Sequence, residues 1–155
     1  MDLSLIHDWP GAALMRRSAV AYATVNAAHI LGIGLLVGAA LPMDLRLLGA
    51  FRRVPASVVV PFLSRLAGTG LVLAVATGAM LWSVSPAGYL DNPAFRVKVA
   101  LLAGAAVMIA VQHANPAFRA VADGADPAPS VRVAALLSAV LWLIILGAGR
   151  WIGFA

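Results

Sequence analysis

Four long apolar stretches dominate this sequence and limit what the chain can fold into. They cover residues 18–42, 58–84, 93–115 and 131–152, and short segments rich in Pro, Gly, Asp and Arg separate them. Each stretch is close to the roughly 20 residues that an α-helix needs to cross the hydrocarbon core of a bilayer. Strands of a β-barrel would be about half as long and would alternate in polarity. The sequence therefore predicts an all-α integral membrane protein with four spans.

The composition agrees with a lipid environment. Of the 155 residues, 63% are hydrophobic and 11% are charged, whereas soluble domains are nearer half apolar and one quarter charged. The net charge of +5 would favour nucleic acid as the partner of a soluble protein. Here the arginines flank apolar stretches, where they meet lipid phosphates. We therefore expect the bilayer, and not nucleic acid, to be the partner of this chain.

The connections between the stretches predict the topology. Short connections make neighbouring helices antiparallel, which indicates one up-down four-helix bundle over residues 1–155 with both termini on the same side. Gly34 and Gly38 form a GxxxG pattern in the first span, and Ala74 and Gly78 form the small-residue equivalent in the second. Such patterns let helix backbones approach closely in membranes, so these residues are predicted to lie at helix contacts.

Polar side chains inside the apolar stretches are the candidates for function. Tyr22, Asn26 and His29 follow an i, i+4, i+7 spacing, so they share one face of the first span and are expected to face the bundle interior. His113 lies late in the third span, which runs parallel to the first. Counted from the side of the termini, the two histidines differ in depth by about 4–5 Å, and counted from the other side by up to about 13 Å.

Two imidazoles on different helices, each with small residues nearby, are what a b-type haem requires, since the flat macrocycle lies between helices and histidine supplies its axial ligands. We therefore predict that His29 and His113 ligate one haem iron in an electron-transfer protein. Tyr22 and Asn26 would line this cofactor, and Arg65 would pair with a propionate. A quinone or a redox partner protein would exchange electrons with it.

Two other functions remain open on the same residues. A copper or other metal transport or resistance protein would use the Tyr22, Asn26 and His29 face as part of a polar path. Copper could also recruit the thioethers of Met43, Met80 and Met108. A structural subunit of a larger membrane complex would use the histidines only for hydrogen bonds between helices. The sequence contains no spacing typical of a hydrolase or of a phosphate loop, and it contains no cysteine. It therefore identifies no catalytic residues, and whether the protein is an enzyme stays open.

The positions of the carboxylates in the sequence argue against a proton-transfer function. None of them lies in the middle of an apolar stretch, whereas the relay carboxylates of proton pumps lie at membrane depth. Asp44 and Arg65 fall on the same side of the bilayer in the four-span arrangement. We expect these two residues to form an ion pair at the rim.

Three segments resemble a known group of proteins. The sequences of residues 29–49, 88–98 and 149–154 resemble an uncharacterised family of small four-helix bacterial membrane proteins, which is loosely similar to the membrane domain of CopD-type copper-resistance proteins. Asp44–Gly49 and Tyr89–Lys98 are the strongest matches. The resemblance implies a bacterial inner membrane location and keeps copper handling as an alternative. The side opposite the termini carries six basic residues against five on the side of the termini, and this small excess favours periplasmic termini. A bundle this small is expected to join an oligomer or a larger complex.

Overall fold

The computed structural model describes residues 4–154, and this range is helical with no β-strand. Its helices are Ser4–His7 (α1), Pro10–Arg17 (α2), Ala19–Leu48 (α3), Ala56–Val84 (α4), Pro86–Asp91 (α5), Pro93–Ala114 (α6), Pro116–Ala122 (α7) and Pro129–Trp151 (α8). The four long helices α3, α4, α6 and α8 are long and apolar enough to cross a membrane. The predicted all-α class is therefore confirmed, and four short helices accompany the long ones.

Helix α3 extends further than the first predicted span. It begins after Ser18, whose side chain accepts a hydrogen bond from the Ala21 amide at 3.2 Å. It continues through Pro42, where the prediction ended it, and stops at Gly49, which has a φ of 107°. Glycine adopts this left-handed conformation readily. Proline is tolerated inside membrane helices. Asp44 and Leu47, which follow Pro42, are buried, and this packing favours continuation of the helix beyond the proline.

Two Asn-Pro pairs start helices in the same way. The Asn92 side chain accepts hydrogen bonds from the first amides of α6, and the Asn115 side chain accepts one from the Ala117 amide at the start of α7. In both cases proline takes the first helical position, where its missing N–H is not needed. Two of the short segments that separate the predicted spans therefore contain the helices α5 and α7.

The long helices pack in the order α4, α3, α8, α6. Helix α3 packs most extensively on α4, and α8 packs on both α3 and α6, whereas α4 and α6 share no comparable interface. The cleft between α4 and α6 is bridged near α7, which packs on α4. The arrangement leaves one lateral seam of the assembly loosely packed.

The closest helix contact is made by glycines that the sequence pattern did not single out. A Cβ atom at Gly32 would lie 2.7 Å from the Ala74 amide nitrogen, and one at Gly70 would collide with the α3 backbone at Leu36. Nothing lies within 4 Å of a Cβ at Gly34 or Gly38. The predicted GxxxG contact is therefore wrong, because Gly34 and Gly38 lie on an exposed face of α3.

Candidate functional site

A cavity of about 180 Å³ lies between the four long helices, next to α7. Its walls are mostly apolar, with Trp142 as the largest aromatic side chain. Five polar side chains reach it: Asp44, Ser64, Gln112, His113 and Ser138. Ligand sites in proteins are typically apolar pockets with a few convergent polar groups, so this cavity is the candidate site.

Asp44 is the most buried polar residue at the cavity, with 1% of its surface exposed. It follows Ala40 by one turn and precedes Leu47 by one turn, and all three face the interior. The Ser138 hydroxyl of α8 is close enough to hydrogen bond to the Asp44 carboxyl. The Oδ2 atom, however, has no hydrogen-bond partner among the described residues. A buried acceptor without a partner costs free energy, so this atom is poised to receive a donor.

Gln112 provides a second acceptor of the same kind. Its Oε1 atom is buried and has no hydrogen-bond partner in the part of the chain that the structure describes, and its side chain lines the same cavity from α6. Asp44 and Gln112 come from two helices that do not follow one another in the chain. The cavity therefore combines two unsatisfied acceptor atoms, and a molecule bound there has to supply hydrogen-bond donors.

His113 closes the cavity towards the seam between α4 and α6. Its Nδ1 atom lies 2.9 Å from the Ile109 carbonyl oxygen, and its Nε2 atom lies 3.1 Å from Ser64 Oγ of α4. A carbonyl oxygen can only accept, so Nδ1 carries the proton and Nε2 accepts from the Ser64 hydroxyl. The ring also contacts the Phe118 ring edge-on, with centroids 5.3 Å apart. The bond to Ser64 is a direct polar link across the loosely packed seam.

His29 lies elsewhere, between α3 and α4. Its Nδ1 atom is 2.9 Å from the Ala74 carbonyl oxygen and 3.1 Å from Thr77 Oγ1, and the ring packs against Gly78, which leaves room for it. His113 meets the same helix at Ser64. At about 1.5 Å per residue, Ser64 lies about 15–21 Å along α4 from the residues that contact His29.

This separation does not fit the predicted haem site. Two axial histidines must bring their nitrogens to about 2.0–2.1 Å from one metal ion, and His29 and His113 face different levels of α4. The cavity beside His113 is also below the roughly 300–1,000 Å³ of pockets that hold drug-sized ligands. The structure therefore does not bring the two predicted ligands together. Within residues 4–154, no group of three or more His, Asp or Glu side chains is arranged to hold a metal ion.

The other predicted site residues also lie apart. Tyr22 hydrogen bonds to Tyr89 of α5, far from the cavity, and Asn26 lies between Tyr22 and His29 on α3. Arg65 is exposed on α4 and makes no ion pair within the described residues. The predicted Asp44–Arg65 pair is wrong, because Asp44 faces the interior and Arg65 faces outwards.

The two acceptor residues of the cavity were missed at the level of sequence. A first span that ends at Pro42 places Asp44 beyond the span, whereas helix α3 continues to Leu48. The signal was the continued i, i+4, i+7 spacing of Ala40, Asp44 and Leu47 past the proline, which keeps all three on one helix face. Gln112 gives no comparable signal, because nothing in the sequence separates it from other polar residues near a helix end.

The fold and the cavity are those of a multi-pass helical membrane protein. Residues 13–155 match a family of unknown function, DUF6644, and the chain belongs to this family. No curated protein and no solved structure matches the chain. Membership of an uncharacterised family is thereby confirmed, and the similarity to CopD-type proteins stays a prediction.

Proposed function

We propose that this protein crosses the membrane four times as an up-down bundle and binds a small solute in its interior cavity. The solute is mostly apolar and carries a cationic or hydrogen-bond-donating group. The observation that carries this proposal is the presence of two buried acceptor atoms without partners, Asp44 Oδ2 and Gln112 Oε1, on side chains that line one cavity. Each such atom costs about 1–3 kcal/mol when left unsatisfied, and a donor on a bound solute removes that cost.

The size of the cavity limits the solute. An engineered apolar cavity of about 150 Å³ holds a benzene molecule, and this cavity has about 180 Å³. One ring with a short polar substituent therefore fits. Trp142 adds an aromatic wall, and aromatic side chains attract cations. An aromatic or aliphatic amine of this size matches both the apolar walls and the acceptor atoms.

The packing of the helices favours entry from the bilayer. Helices α4 and α6 do not pack on one another as the other neighbours do, and the Ser64–His113 hydrogen bond spans the seam between them. An apolar amine dissolves in lipid and reaches this seam without crossing the polar ends of the helices. Opening the seam needs the loss of few contacts, so binding and release by this route suit a transport function.

Benzylamine is a suitable probe, because it combines one ring with one ammonium group. We expect benzylamine to bind the purified protein in detergent, measured by equilibrium dialysis and by a rise in melting temperature. The isosteric change Asp44→Asn should weaken binding about 10- to 100-fold, since hydrogen bonds to charged groups contribute about 1.5–3 kcal/mol and tenfold corresponds to about 1.4 kcal/mol. The exposed Asp91 provides the control Asp91→Asn, which should bind like the wild type.

Two results would contradict the proposal. The first is that benzylamine neither binds nor stabilises the wild-type protein. The second is that Asp44→Asn and Asp91→Asn bind benzylamine with the same affinity. Toluene, which has the ring but no donor, should bind more weakly than benzylamine to the wild type and equally to both variants.

A soft metal ion is the second candidate for the same cavity. Met43 and Met108 line it together with His113, and thioethers and imidazole suit monovalent copper. The His113 Nδ1 proton is held by a backbone carbonyl, which is how metal-binding histidines are commonly oriented with Nε2 towards the ion. The double change Met43→Leu with Met108→Leu should then weaken Cu(I) binding, measured by competition with a colorimetric chelator, and leave benzylamine binding intact.

The haem hypothesis has its own direct test. Absorption spectra of the oxidised and reduced purified protein would show sharp α and β bands if a low-spin haem were bound. Loss of these bands in both His29→Ala and His113→Ala would replace the solute-binding proposal with an electron-transfer function and would require a helix arrangement different from the one described here.

A further inference from the structure

Lys98 places an ammonium group between α6 and α8, away from the cavity. It is the sixth residue of α6 and is partly buried. A Cβ atom at Gly149 of α8 would lie 3.3 Å from Lys98 Nζ. The lysine side chain therefore lies across the backbone of α8 at a position where that helix has no side chain.

The charge of Lys98 has no carboxylate partner among the residues that the structure describes. Within residues 4–154, the ammonium of Lys98 makes neither an ion pair nor a hydrogen bond. Asp44, the buried carboxyl of the cavity, faces Ser138 of α8, which is about 16 Å along that helix from Gly149 at about 1.5 Å per residue. Lys98 and Asp44 therefore belong to two separate regions of the interior.

A polar side chain of α3 lies near Lys98. The charge of Lys98 acts electrostatically on the His29 ring, so these two side chains lie near one another. The side chain of Asn26, about one turn before His29 on the same face of α3, makes no hydrogen bond among the described residues. Its amide can donate to a group bound near this face.

We infer that Lys98 is the centre of an anion site, with Asn26 as a second donor, for a phosphate or a carboxylate group. An isolated ammonium in a medium of low dielectric constant is costly, and a bound anion offsets the cost. The group comes either from a free anion in solution or from the headgroup of an anionic lipid. Both supply the same negatively charged oxygens, and the two sources differ in how they reach the protein.

The charge of Lys98 also predicts how the variant Lys98→Met behaves. Lys98→Met keeps an unbranched apolar side chain of similar length and removes the charge. Because the ammonium has no partner within residues 4–154, this variant should fold at least as stably as the wild type when no anion is present. A loss of anion binding in Lys98→Met therefore cannot be attributed to misfolding.

The experiment compares Lys98→Met and Lys98→Arg with the control Arg96→Met, which removes an exposed charge two residues away. In one arm, inorganic phosphate is titrated against the protein in a neutral detergent and the melting temperature is measured. We expect Lys98→Met to weaken phosphate binding at least about tenfold, as for the loss of a charged hydrogen bond, while Lys98→Arg and Arg96→Met retain it. In the other arm, the proteins are placed in phosphatidylcholine nanodiscs with or without phosphatidylglycerol.

The phosphate titration and the nanodisc experiment together distinguish a free anion from a lipid headgroup as the source of the bound group. Lys98-dependent stabilisation by phosphate supports a site for a free anion, and Lys98-dependent stabilisation by phosphatidylglycerol alone supports a lipid headgroup site. Equal losses in Lys98→Met and Arg96→Met, or no response to either anion, would overturn the inference. Benzylamine binding should be unchanged in Lys98→Met, so this result is independent of the cavity at Asp44.

Discussion

At the scale of single residues, hydrogen bonds to backbone carbonyl groups orient the rings of His29 and His113. Both His29 and His113 direct Nδ1 at a backbone carbonyl oxygen, of Ala74 and Ile109 respectively. A carbonyl cannot donate, so each ring carries its proton on Nδ1 and keeps a lone pair on Nε2. The partners differ, because His29 reaches across to α4 whereas His113 bonds to its own helix. The two histidines therefore have different roles: His29 lies at the contact between α3 and α4, and His113 lines the cavity.

Tyr89 offers a test at the scale of one residue. It lies in α5, outside the long helices, and burial first, then the neighbouring Tyr22 phenol, raises the pKa of Tyr89. The unfolded chain therefore releases this proton at a lower pH than the folded protein, beginning near the ordinary tyrosine pKa of about 10. The folded state then binds more protons, and the free energy of unfolding falls as pH rises through this range.

We expect the melting temperature of Tyr89→Phe to depend less on pH than that of the wild type between about pH 9.5 and 11. The measurement is a set of thermal unfolding curves in detergent across this range and at neutral pH. The exposed Tyr22 gives the comparison Tyr22→Phe, which retains the buried Tyr89 phenol and should stay sensitive to alkali. Parallel pH profiles for Tyr89→Phe and the wild type would show that Tyr89 does not titrate differently in the folded state.

At the scale of helices, the contact between α3 and α4 is the most extensive in the molecule. It depends on Gly32 and Gly70, where the two backbones come too close for any side chain. Dispersion contacts between close backbones are a main source of helix association in membranes, because lipid tails are as apolar as the helices themselves. Small residues at this contact therefore matter more for stability than the apolar character of the helices.

The pair Gly32 and Gly34 provides a matched comparison within one helix. Gly32→Val should lower the free energy of unfolding by about 1–3 kcal/mol, because the new side chain meets the Ala74 backbone and forces the helices apart. Gly34→Val, whose new Cβ atom meets nothing within 4 Å, should leave the free energy of unfolding nearly unchanged. Denaturation in mixed detergent micelles measures both. Equal stabilities of the two variants would mean that α3 and α4 do not approach closely at Gly32.

At the scale of the whole molecule, the long helices form an incompletely closed assembly. Helices α3 and α8 occupy the middle of the packing order, and α4 and α6 lie at its ends with a weakly bridged seam between them. This arrangement leaves the interior cavity accessible from one side. It also makes α6 the least buried of the four candidate spans, so an oligomer or a partner protein would most easily pack against α6.

The four-span topology can be tested with single cysteines, because the natural sequence contains none. Ser4→Cys and Gly153→Cys should react with a membrane-impermeant maleimide from the same side of sealed vesicles. Gly124→Cys, in the segment between α7 and α8, should react from the opposite side. Labelling of Ser4→Cys and Gly153→Cys from opposite sides would contradict an up-down arrangement of four spans.

Much of the fold could be predicted from sequence. The all-α class and the number of candidate spans follow from the lengths of the apolar stretches, since about 20 apolar residues are what a helix needs to cross lipid. The starts of α6 and α7 follow from Asn92-Pro93 and Asn115-Pro116, because asparagine caps a helix and proline suits its first position. These features depend on neighbouring residues only, so they can be predicted without knowing the tertiary structure.

The candidate site was decided by tertiary structure. Helical spacing places residues on one face and at one height, but it does not say which neighbouring helix that face meets. In a soluble helix the polar face reveals the orientation, whereas here the lipid-facing and interior faces are both apolar, and that signal is missing. Only the packing of α3, α6 and α8 brings Asp44 and Gln112 to one cavity, separates His29 from His113, and leaves Lys98 against Gly149.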